Sequence, residues 1–450
     1  MGTDYDIFVL GDGLDAAAIA RDAAGRGARV GLASPGDPGA VAPMIDGRLL
    51  AGGLGVTGRA ALRDLKVQRA ETRTLLSIAA PFLAQSRVVT PLRRHRLKTR
   101  VRRGAAQVVD WLAGPPFGSP RRHRLVAEGT RAGLRGRFKQ AIEAEGHLFD
   151  AGRLAALMLM DAAARGADLF PRTEASAVAD DATWRIRLAG PTPREVTTRA
   201  LVRIEPGTER EVVVVARSRF PHPAILRLTE VGRAPVYIAP WGPGTCVIGP
   251  FHLGGTGPVT GSEAAEAVAA VSGCLAEPIF ADQVPGVWAT SFGGADTLDG
   301  TDLRVAPSRP SEVRARAEGA IDRLASGLGL RPAWTATVPL PGAQPTEGPA
   351  GAEGLHARYP FLDAVWARRL WHSYGHRAVD LLGDATRAAD LGRAFGATLT
   401  EREVGWLIET EFAETAEDIL HHRTRLGASL SAAETQALDA WMRDAQGRAA

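Results

Sequence analysis

The hydrophobic pattern at the start of the chain predicts one β-α-β unit. Residues 5–10 form a short apolar run, Gly11 and Gly13 interrupt it, residues 16–26 are alanine-rich with helical spacing, and residues 28–33 form a second apolar run. A strand, a glycine turn, a helix and a second strand in this order are typical of a parallel sheet. The sequence therefore predicts a Rossmann-like α/β domain at its start.

The middle of the chain is predicted to add a second layer of strands. Helical spacing covers residues 57–80 and 150–165, whereas the basic, proline-broken stretch 81–137 has no single period and is interpreted as an excursion from the first sheet. The predicted strands are 175–178, 183–188, 196–204, 212–216, 235–239 and 245–249, and the predicted helices among and after them are 262–276 and 311–328. Strands that follow one another directly favour antiparallel pairing, so we expect a mixed or antiparallel layer.

The last quarter of the chain is predicted to be an all-α domain. A Pro/Gly-rich linker at 339–352 separates it from the rest, which gives domains at 1–338 and 353–450. The predicted helices are 359–382, 388–395, 400–411, 416–426 and 431–446. Thr400 and Ser431 are placed as N-caps because acidic residues follow them in the first turn.

Composition indicates a globular protein of more than one domain. The chain has 450 residues, a length greater than one hydrophobic core usually supports. Hydrophobic residues make up 45% and charged residues 23%, which is typical of globular proteins. Two cysteines, Cys246 and Cys274, cannot form a disulfide framework or a zinc cluster. The first strand begins too early to leave room for a signal peptide, and no apolar run is long enough to cross a bilayer. We therefore expect a cytoplasmic protein, soluble or peripheral on a membrane.

Positive charge is concentrated in one stretch, although the net charge is only +4. The cations are Arg87, Arg93, Arg94, Arg96, Lys98, Arg100, Arg102 and Arg103, followed by Arg121, Arg122 and Arg124. A solvated basic face, contact with anionic lipid headgroups, and nucleic-acid binding are the three interpretations. Nucleic acid is the least favoured because few aromatic residues interleave with the cations, and we expect no nucleic-acid partner.

The glycine turn carries the pattern of a dinucleotide-binding loop. Gly11 permits a tight turn, Gly13 lets a pyrophosphate approach the backbone, and Ala16 allows close packing at the start of a helix whose N-terminus attracts phosphate. Asp12 and Asp15 add negative charge beside that place. Ser34 stands where the acidic partner of a ribose is expected, so the fold is a firmer prediction than cofactor binding.

Several segments resemble the FAD-dependent glycerol-3-phosphate dehydrogenases. They are IARDAAGRG at 19–27, RYPFL at 358–362, SYG at 373–375, TAED at 415–418 and RTRLG at 423–427. The resemblance implies a Rossmann-like FAD-binding fold with a mixed or antiparallel substrate layer and an all-α C-terminal domain. It also implies oxidation of sn-glycerol 3-phosphate, or a related small phosphate, to dihydroxyacetone phosphate, with electrons passed to quinone. A peripheral site on the inner face of the cell membrane is then expected, and a homodimer stays an open alternative.

The resemblance assigns FAD contacts to particular positions, and many of the family's own residues are absent there. The positions are Gly11, Gly13, Ala16, Ser34, Arg48, Gly52, Gly53 and Leu54. The family's His-Gly-Gly-Leu-Arg segment loses its His and Arg here, and residues 304–313 replace a Phe-Gly-Gly-Lys-Leu-Thr-Thr-Tyr-Arg segment at which glycine amides approach the flavin. Two hypotheses follow: an FAD enzyme with an unusual site, and a non-catalytic relative that binds a partner, with FAD weakened or lost.

Substitute catalytic groups are named by residue type alone. His252 is the candidate base, and Arg217, Arg219, Arg304 and Arg309 are candidates to hold a phosphate. Each has an ordinary alternative, a histidine satisfying a strand end or a solvated surface arginine. No nucleophile elbow is present, so a hydrolase is rejected, and the spacing of the histidines gives no metal site.

Overall fold

The computed structural model describes residues 3–51, 58–93, 96–114, 124–126, 133–190, 193–217, 224–232, 234–242, 244–253, 257–344 and 350–449. It begins with the predicted β-α-β unit, formed by β1 (Tyr5–Leu10), α1 (Gly13–Gly25) and β2 (Val30–Ala33). β1 pairs in parallel with β2, from Ile7 opposite Val30 to Leu10 opposite Ala33. The first prediction is thus confirmed.

The region from residue 47 to 170 alternates helices and strands. It contains α2 (Gly47–Ala51), α3 (Arg59–Ala79), β3 (Leu83–Arg93), α4 (Arg96–Ala113), β4 (Arg124–Val126), β5 (Phe138–Phe149), α5 (Ala151–Ala164) and β6 (Asp168–Phe170). The helices predicted at 57–80 and 150–165 are confirmed by α3 and α5. The unassigned basic stretch contributes the long β3 strand, which pairs antiparallel with β5 along its whole length.

The following region holds most of the remaining strands. They are β7 (Glu174–Asp180), β8 (Thr183–Ala189), β9 (Arg194–Ile204), β10 (Glu209–Arg217), β11 (Ile225–Leu228), β12 (Val236–Pro240) and β13 (Thr245–His252). After them come α6 (Gly261–Ser272), β14 (Gly286–Phe292), β15 (Thr297–Asp299), β16 (Asp302–Val305) and α7 (Val313–Leu328).

The C-terminal region is mainly helical. It comprises α8 (Gly351–Arg358), α9 (Ala364–Tyr374), α10 (Ala378–Leu382), β17 (Ala394–Gly396), β18 (Leu399–Thr400), α11 (Glu401–Glu411), a π-helical turn (Asp418–Arg423) and α12 (Ala432–Ala449). Ser431 caps α12 as predicted, since its hydroxyl accepts the Glu434 N–H. The single helix predicted at 359–382 is wrong, because it is broken before Asp363 and again at Gly375. The helix predicted at 388–395 is also wrong, because that segment is one short 3-10 turn leading into β17.

Strands β1 to β16 of the described residues form two eight-stranded sheets. The first has the order β15-β16-β9-β1-β2-β6, with the β7–β8 hairpin attached to β9, and the second has the order β14-β10-β13-β12-β11-β3-β5-β4. The prediction that the strands from 175 to 204 belong to the second layer is wrong. β9 pairs in parallel with β1, so this part completes the first sheet.

Each sheet buries one face under helices. α1, α5 and α7 cover the first sheet with small and aliphatic residues such as Ala20, Leu157 and Ile321. α6 covers one face of the second sheet through Ala267 and Val271. The other face of the second sheet points into the crevice between the two sheets, where a ligand is expected in this class of fold.

The C-terminal region has its own core and is tied to the first sheet by buried ion pairs. Arg153 of α5 pairs with Glu411 of α11, with Nη2 3.0 Å from Oε1. Leu340 is fully buried, and its N–H donates to the Ile78 carbonyl at 2.8 Å. The domain boundary at 339–352 stays a prediction, and residues 345–349 lie outside the described part of the chain. Among the described helices, none has the length and apolar character needed to cross a bilayer.

Candidate functional site

The glycine turn between β1 and α1 has the backbone expected of a dinucleotide loop, but its amides are already bonded. Gly11 and Gly13 have φ of +136° and +77°, values that favour glycine. The Gly11 N–H donates to the Ala33 carbonyl at 3.1 Å, and the Gly13 N–H donates to the Pro38 carbonyl at 3.2 Å. In this kind of loop the second glycine is the point where the pyrophosphate meets the backbone. Here a carbonyl of the same chain takes that place.

The loop that supplies Pro38 is held by its own side chains. Ser34 is fully buried, and its hydroxyl donates to the Gly36 carbonyl at 3.1 Å. Asp37 accepts the Gly39 N–H at 2.9 Å. The hydroxyl that the sequence assigns to a ribose is therefore engaged inside the loop.

An arginine from the C-terminal region fixes this loop from the other side. Arg423 is fully buried, and its two terminal nitrogens each lie 2.8 Å from a carboxylate oxygen of Asp37. A Cβ added to Gly39 would lie 2.8 Å from the guanidinium, so the two segments are packed as closely as a glycine allows. The Pro38 carbonyl is thus held by a loop that is anchored at several points.

Acidic side chains surround the start of α1. Burial, and secondly the charge of Asp37, raise the pKa of Asp12 above its usual value. Burial also raises the pKa of Asp15, whose carboxylate accepts the Ser308 N–H at 2.9 Å. A doubly charged pyrophosphate placed beside these carboxyl groups would add to the unfavourable charge environment of their ionised forms.

Ile204, at the end of β9, lies against the glycine turn. A Cβ on Gly11 would be 2.8 Å from the Ile204 Cβ, so the branched side chain covers the backbone at this point. Ile204 is partly buried and packs against the hydrophobic core that contains β1 and α1.

The crevice between the two sheets is bridged by a buried ion pair. Arg309, which precedes α7, forms a two-pronged pair with Glu211 of β10, with one nitrogen–oxygen distance of 3.0 Å. Glu211 is 3% exposed at its side chain, and the His252 Nδ1 lies 3.4 Å from it. The arginine that the sequence offers for phosphate binding and the histidine offered as a base therefore meet at the same carboxylate.

Two further contacts close the same crevice. Asp46 accepts the Ser311 N–H at 2.9 Å, and Arg48 is ion-paired with Glu312. Ser308 and Ser311 both lie in the stretch that leads into α7. Its backbone donors are thus bonded to Asp15 and Asp46 of this chain.

Apolar side chains fill the face of the second sheet that points into the crevice. Ile45 and Leu50 are each 1% exposed and pack with Val213, Val215 and Tyr237 of that face. The Tyr237 hydroxyl donates to the Gly47 carbonyl at 3.4 Å. Around Ile45 and Leu50 this face is therefore a packed core.

The other predicted site residues do not converge on one place. Ala16 is fully buried inside α1, Arg217 is exposed at the end of β10, and Arg304 pairs with Glu205 and Asp302 at 3.2 and 3.3 Å. Gly52, Gly53, Leu54 and Arg219 lie outside the described residues.

Sequence reasoning missed the carboxylates that satisfy the cations. The Arg309–Glu211 and Arg423–Asp37 pairs join residues 98 and 386 positions apart. No local spacing indicates such contacts.

These residues do not fit an FAD bound in the usual manner of this fold. Pro38 accepts the Gly13 N–H, and Asp15 and Asp46 accept backbone N–H groups before α7. The Arg309–Glu211 pair spans the crevice. A ligand needs these donors and this space together.

Comparison with known proteins finds similarity to dehydrogenases and oxidases of small polyol phosphates. Residues 333–445 match the model of the C-terminal domain of alpha-glycerophosphate oxidase. A glycerol-3-phosphate dehydrogenase of Pseudomonas aeruginosa is 28% identical over 95% of this chain and 93% of its own length. D-erythritol 1-phosphate dehydrogenase of Brucella abortus is 26% identical over 98% of both. The structure of the glycerol-3-phosphate dehydrogenase from Bacillus halodurans complexed with FAD superposes with a TM-score of 0.67 at 18% identity, covering 98% of this chain and 94% of that one.

Proposed function

We propose that the chain is a divergent member of the family of FAD-dependent glycerol-3-phosphate dehydrogenases that keeps the family's scaffold as a non-catalytic, partner-binding protein. The observation that carries this proposal is the closed crevice. The Gly13 amide is bonded to Pro38, and Ile45, Leu50 and the Arg309–Glu211 pair occupy the space between the sheets.

The energy of opening the crevice supports this reading. Moving Arg309 away would leave Glu211 buried without its main partner, and breaking a buried ion pair in this way costs about 3–5 kcal/mol. Since about 1.4 kcal/mol is a factor of ten in affinity, this single event weakens FAD binding by more than about a hundredfold. Displacing the apolar side chains adds to that.

The second candidate is FAD-dependent oxidation of sn-glycerol 3-phosphate or a related small phosphate, with electrons passed to quinone. The chain-long similarity to dehydrogenases favours it, as does the glycine turn kept at the start of α1. His252 is then the proposed base, and Arg217, Arg219 and Arg309 are the proposed phosphate ligands. It requires the crevice to open and Arg309 to exchange Glu211 for substrate.

Flavin content separates the two candidates. The full chain is purified without added cofactor, its absorbance spectrum is recorded, and released flavin is quantified after denaturation. Our proposal expects colourless protein and no dye reduction with sn-glycerol 3-phosphate after incubation with FAD. Yellow protein with one FAD per chain and substrate-dependent dye reduction establishes the second candidate instead.

The surface of α4 supports an anionic membrane as the partner. Val101, Val108, Trp111 and Leu112 are 64, 56, 72 and 44% exposed, and helical spacing places them on the side opposite the buried Ala106, Asp110 and Ala113. The cations Arg100, Arg102 and Arg103 are exposed on the same helix. An exposed apolar stripe with flanking arginines is typical of a helix that lies in a membrane interface. We assign this helix to docking on the inner face of the cell membrane.

Vesicle binding tests the docking surface. The protein is sedimented with vesicles of phosphatidylglycerol and phosphatidylcholine, and with phosphatidylcholine alone. We expect binding to the anionic vesicles that weakens with salt and falls at least tenfold in Trp111→Ser. Val178→Ser on β7, whose side chain is similarly exposed at 66%, is the matched control and should bind as the parent does. Failure to bind anionic vesicles at low salt contradicts the assignment.

A further inference from the structure

A small cavity lies between the second sheet and the C-terminal region, away from the glycine turn. Its volume is about 140 Å³, and its walls include Trp241, Trp288, His421, His422 and Arg425. Cavities of about this size hold a ligand as large as benzene. The two indole rings supply apolar surface, and Arg425 supplies the one formal charge among the described lining residues.

The charge of Arg425 is only partly compensated. Its Nε lies 2.5 Å from Asp150 Oδ2, and its guanidinium stacks on Trp241 with 3.6 Å to the ring centroid. The other Asp150 oxygen accepts the Arg153 N–H at the start of α5. The buried Arg425 Nη2 makes no hydrogen bond to any described residue. A buried cationic donor without an acceptor is unfavourable unless a ligand supplies one.

His421 also lines the cavity and adds no positive charge to it near pH 7. Burial, and secondly the charge of His422, lower the pKa of His421, so its ring is neutral near pH 7. The ring packs against Gly427, where a Cβ would come within 2.5 Å of it. The His422 Nδ1 is buried and also lacks a described partner. Both belong to the π-helical turn, a distortion that frequently marks a functional position.

We propose that this cavity binds a small planar carboxylate, with the carboxylate on Arg425 Nη2 and the apolar body between Trp241 and Trp288. The size of the cavity excludes a nucleotide, and the indole walls favour an unsaturated or aromatic acid over inorganic phosphate. Neither the glycine turn nor the Arg309–Glu211 pair lines the cavity, so this proposal does not rest on the proposed function.

Calorimetric titration with benzoate tests the site. One molecule per chain is expected to bind, and benzyl alcohol and inorganic phosphate are each expected to bind at least tenfold more weakly. Ala428→Leu places extra volume in the cavity without removing a polar group and should abolish benzoate binding. Ala281→Leu, an exposed alanine on another surface, is the matched control and should bind benzoate as the parent does.

Three results overturn the proposal. The first is benzyl alcohol binding as tightly as benzoate, which removes the role of Arg425, and the second is unchanged benzoate binding in Ala428→Leu. If Ala428→Leu lowers the melting temperature, Trp288→Leu provides the same test by removing one apolar wall. Undetectable benzoate binding to the parent also overturns it. None of these results depends on flavin content.

Discussion

Replacing Arg423 should weaken the whole fold, because this residue joins the C-terminal region to the loop that closes the glycine turn. Its side chain is fully buried, with 2.8 Å contacts to both oxygens of Asp37 and two hydrogen bonds, of 3.2 and 2.9 Å, to the Glu411 carbonyl. Arg423→Met removes all four contacts and leaves Asp37, 3% exposed, with the Gly39 amide as its remaining hydrogen-bond partner among the described residues. Breaking a buried pair of this kind costs about 3–5 kcal/mol.

The assay is urea unfolding followed by far-ultraviolet circular dichroism, with the free energy of unfolding extrapolated to water. Arg387→Met is the matched control. Its ion pair with Asp390 is largely exposed on the arginine side, so little or no loss of stability is expected. The double variant Arg423→Met with Asp37→Leu should be more stable than Arg423→Met alone, because no carboxylate is left without a cation. A loss below about 1 kcal/mol in Arg423→Met, or a double variant less stable than the single one, would refute the reasoning.

The remaining predictions concern pH, a helix cap and a glycine. Burial raises the pKa of Asp22 to about 6. Its stabilising contribution is therefore fully present below the unfolded pKa near 4 and is lost as pH rises through 6. Between pH 4 and 7 the free energy of unfolding should fall by up to about 3 kcal/mol more in the parent than in Asp22→Asn. Asp363 accepts the Trp366 N–H at 2.7 Å at the start of α9, so Asp363→Ala should lower the free energy of unfolding by about 1 kcal/mol in urea titrations. Gly342 has φ of +86°, and a Cβ there would lie 2.3 Å from the Tyr374 carbonyl, so Gly342→Ala should lower the melting temperature and cost more than about 1 kcal/mol. Equal pH slopes, or an unchanged stability in either other variant, would contradict the corresponding structural reason.

Local patterns gave the elements that local physics determines. The β-α-β unit followed from the apolar runs around Gly11 and Gly13, and the start of α12 followed from Ser431 and Glu434. Pairing between strands that are far apart in the sequence could not be predicted from local patterns. β9 reads as one more strand in a consecutive run, and only its parallel pairing with β1 places it in the first sheet.

The candidate site was harder because its closure depends on long-range partners. The sequence indicated that residues 304–313 differ from the family's flavin-contacting segment. It could not indicate that Arg309 meets Glu211 or that Ser311 donates to Asp46, since such contacts exist only once both sheets have formed. The strand β3 in the basic stretch was also not predicted, because arginines flank its β-forming run at Val88, Val89 and Thr90 and interrupt the apolar pattern.

Equilibrium titration of the purified full chain with FAD, followed by flavin fluorescence, tests the closed crevice most directly. The account predicts no saturable change, because Pro38 holds the Gly13 amide and Arg309 stays on Glu211. Saturable binding at one FAD per chain in the micromolar range or tighter would contradict it.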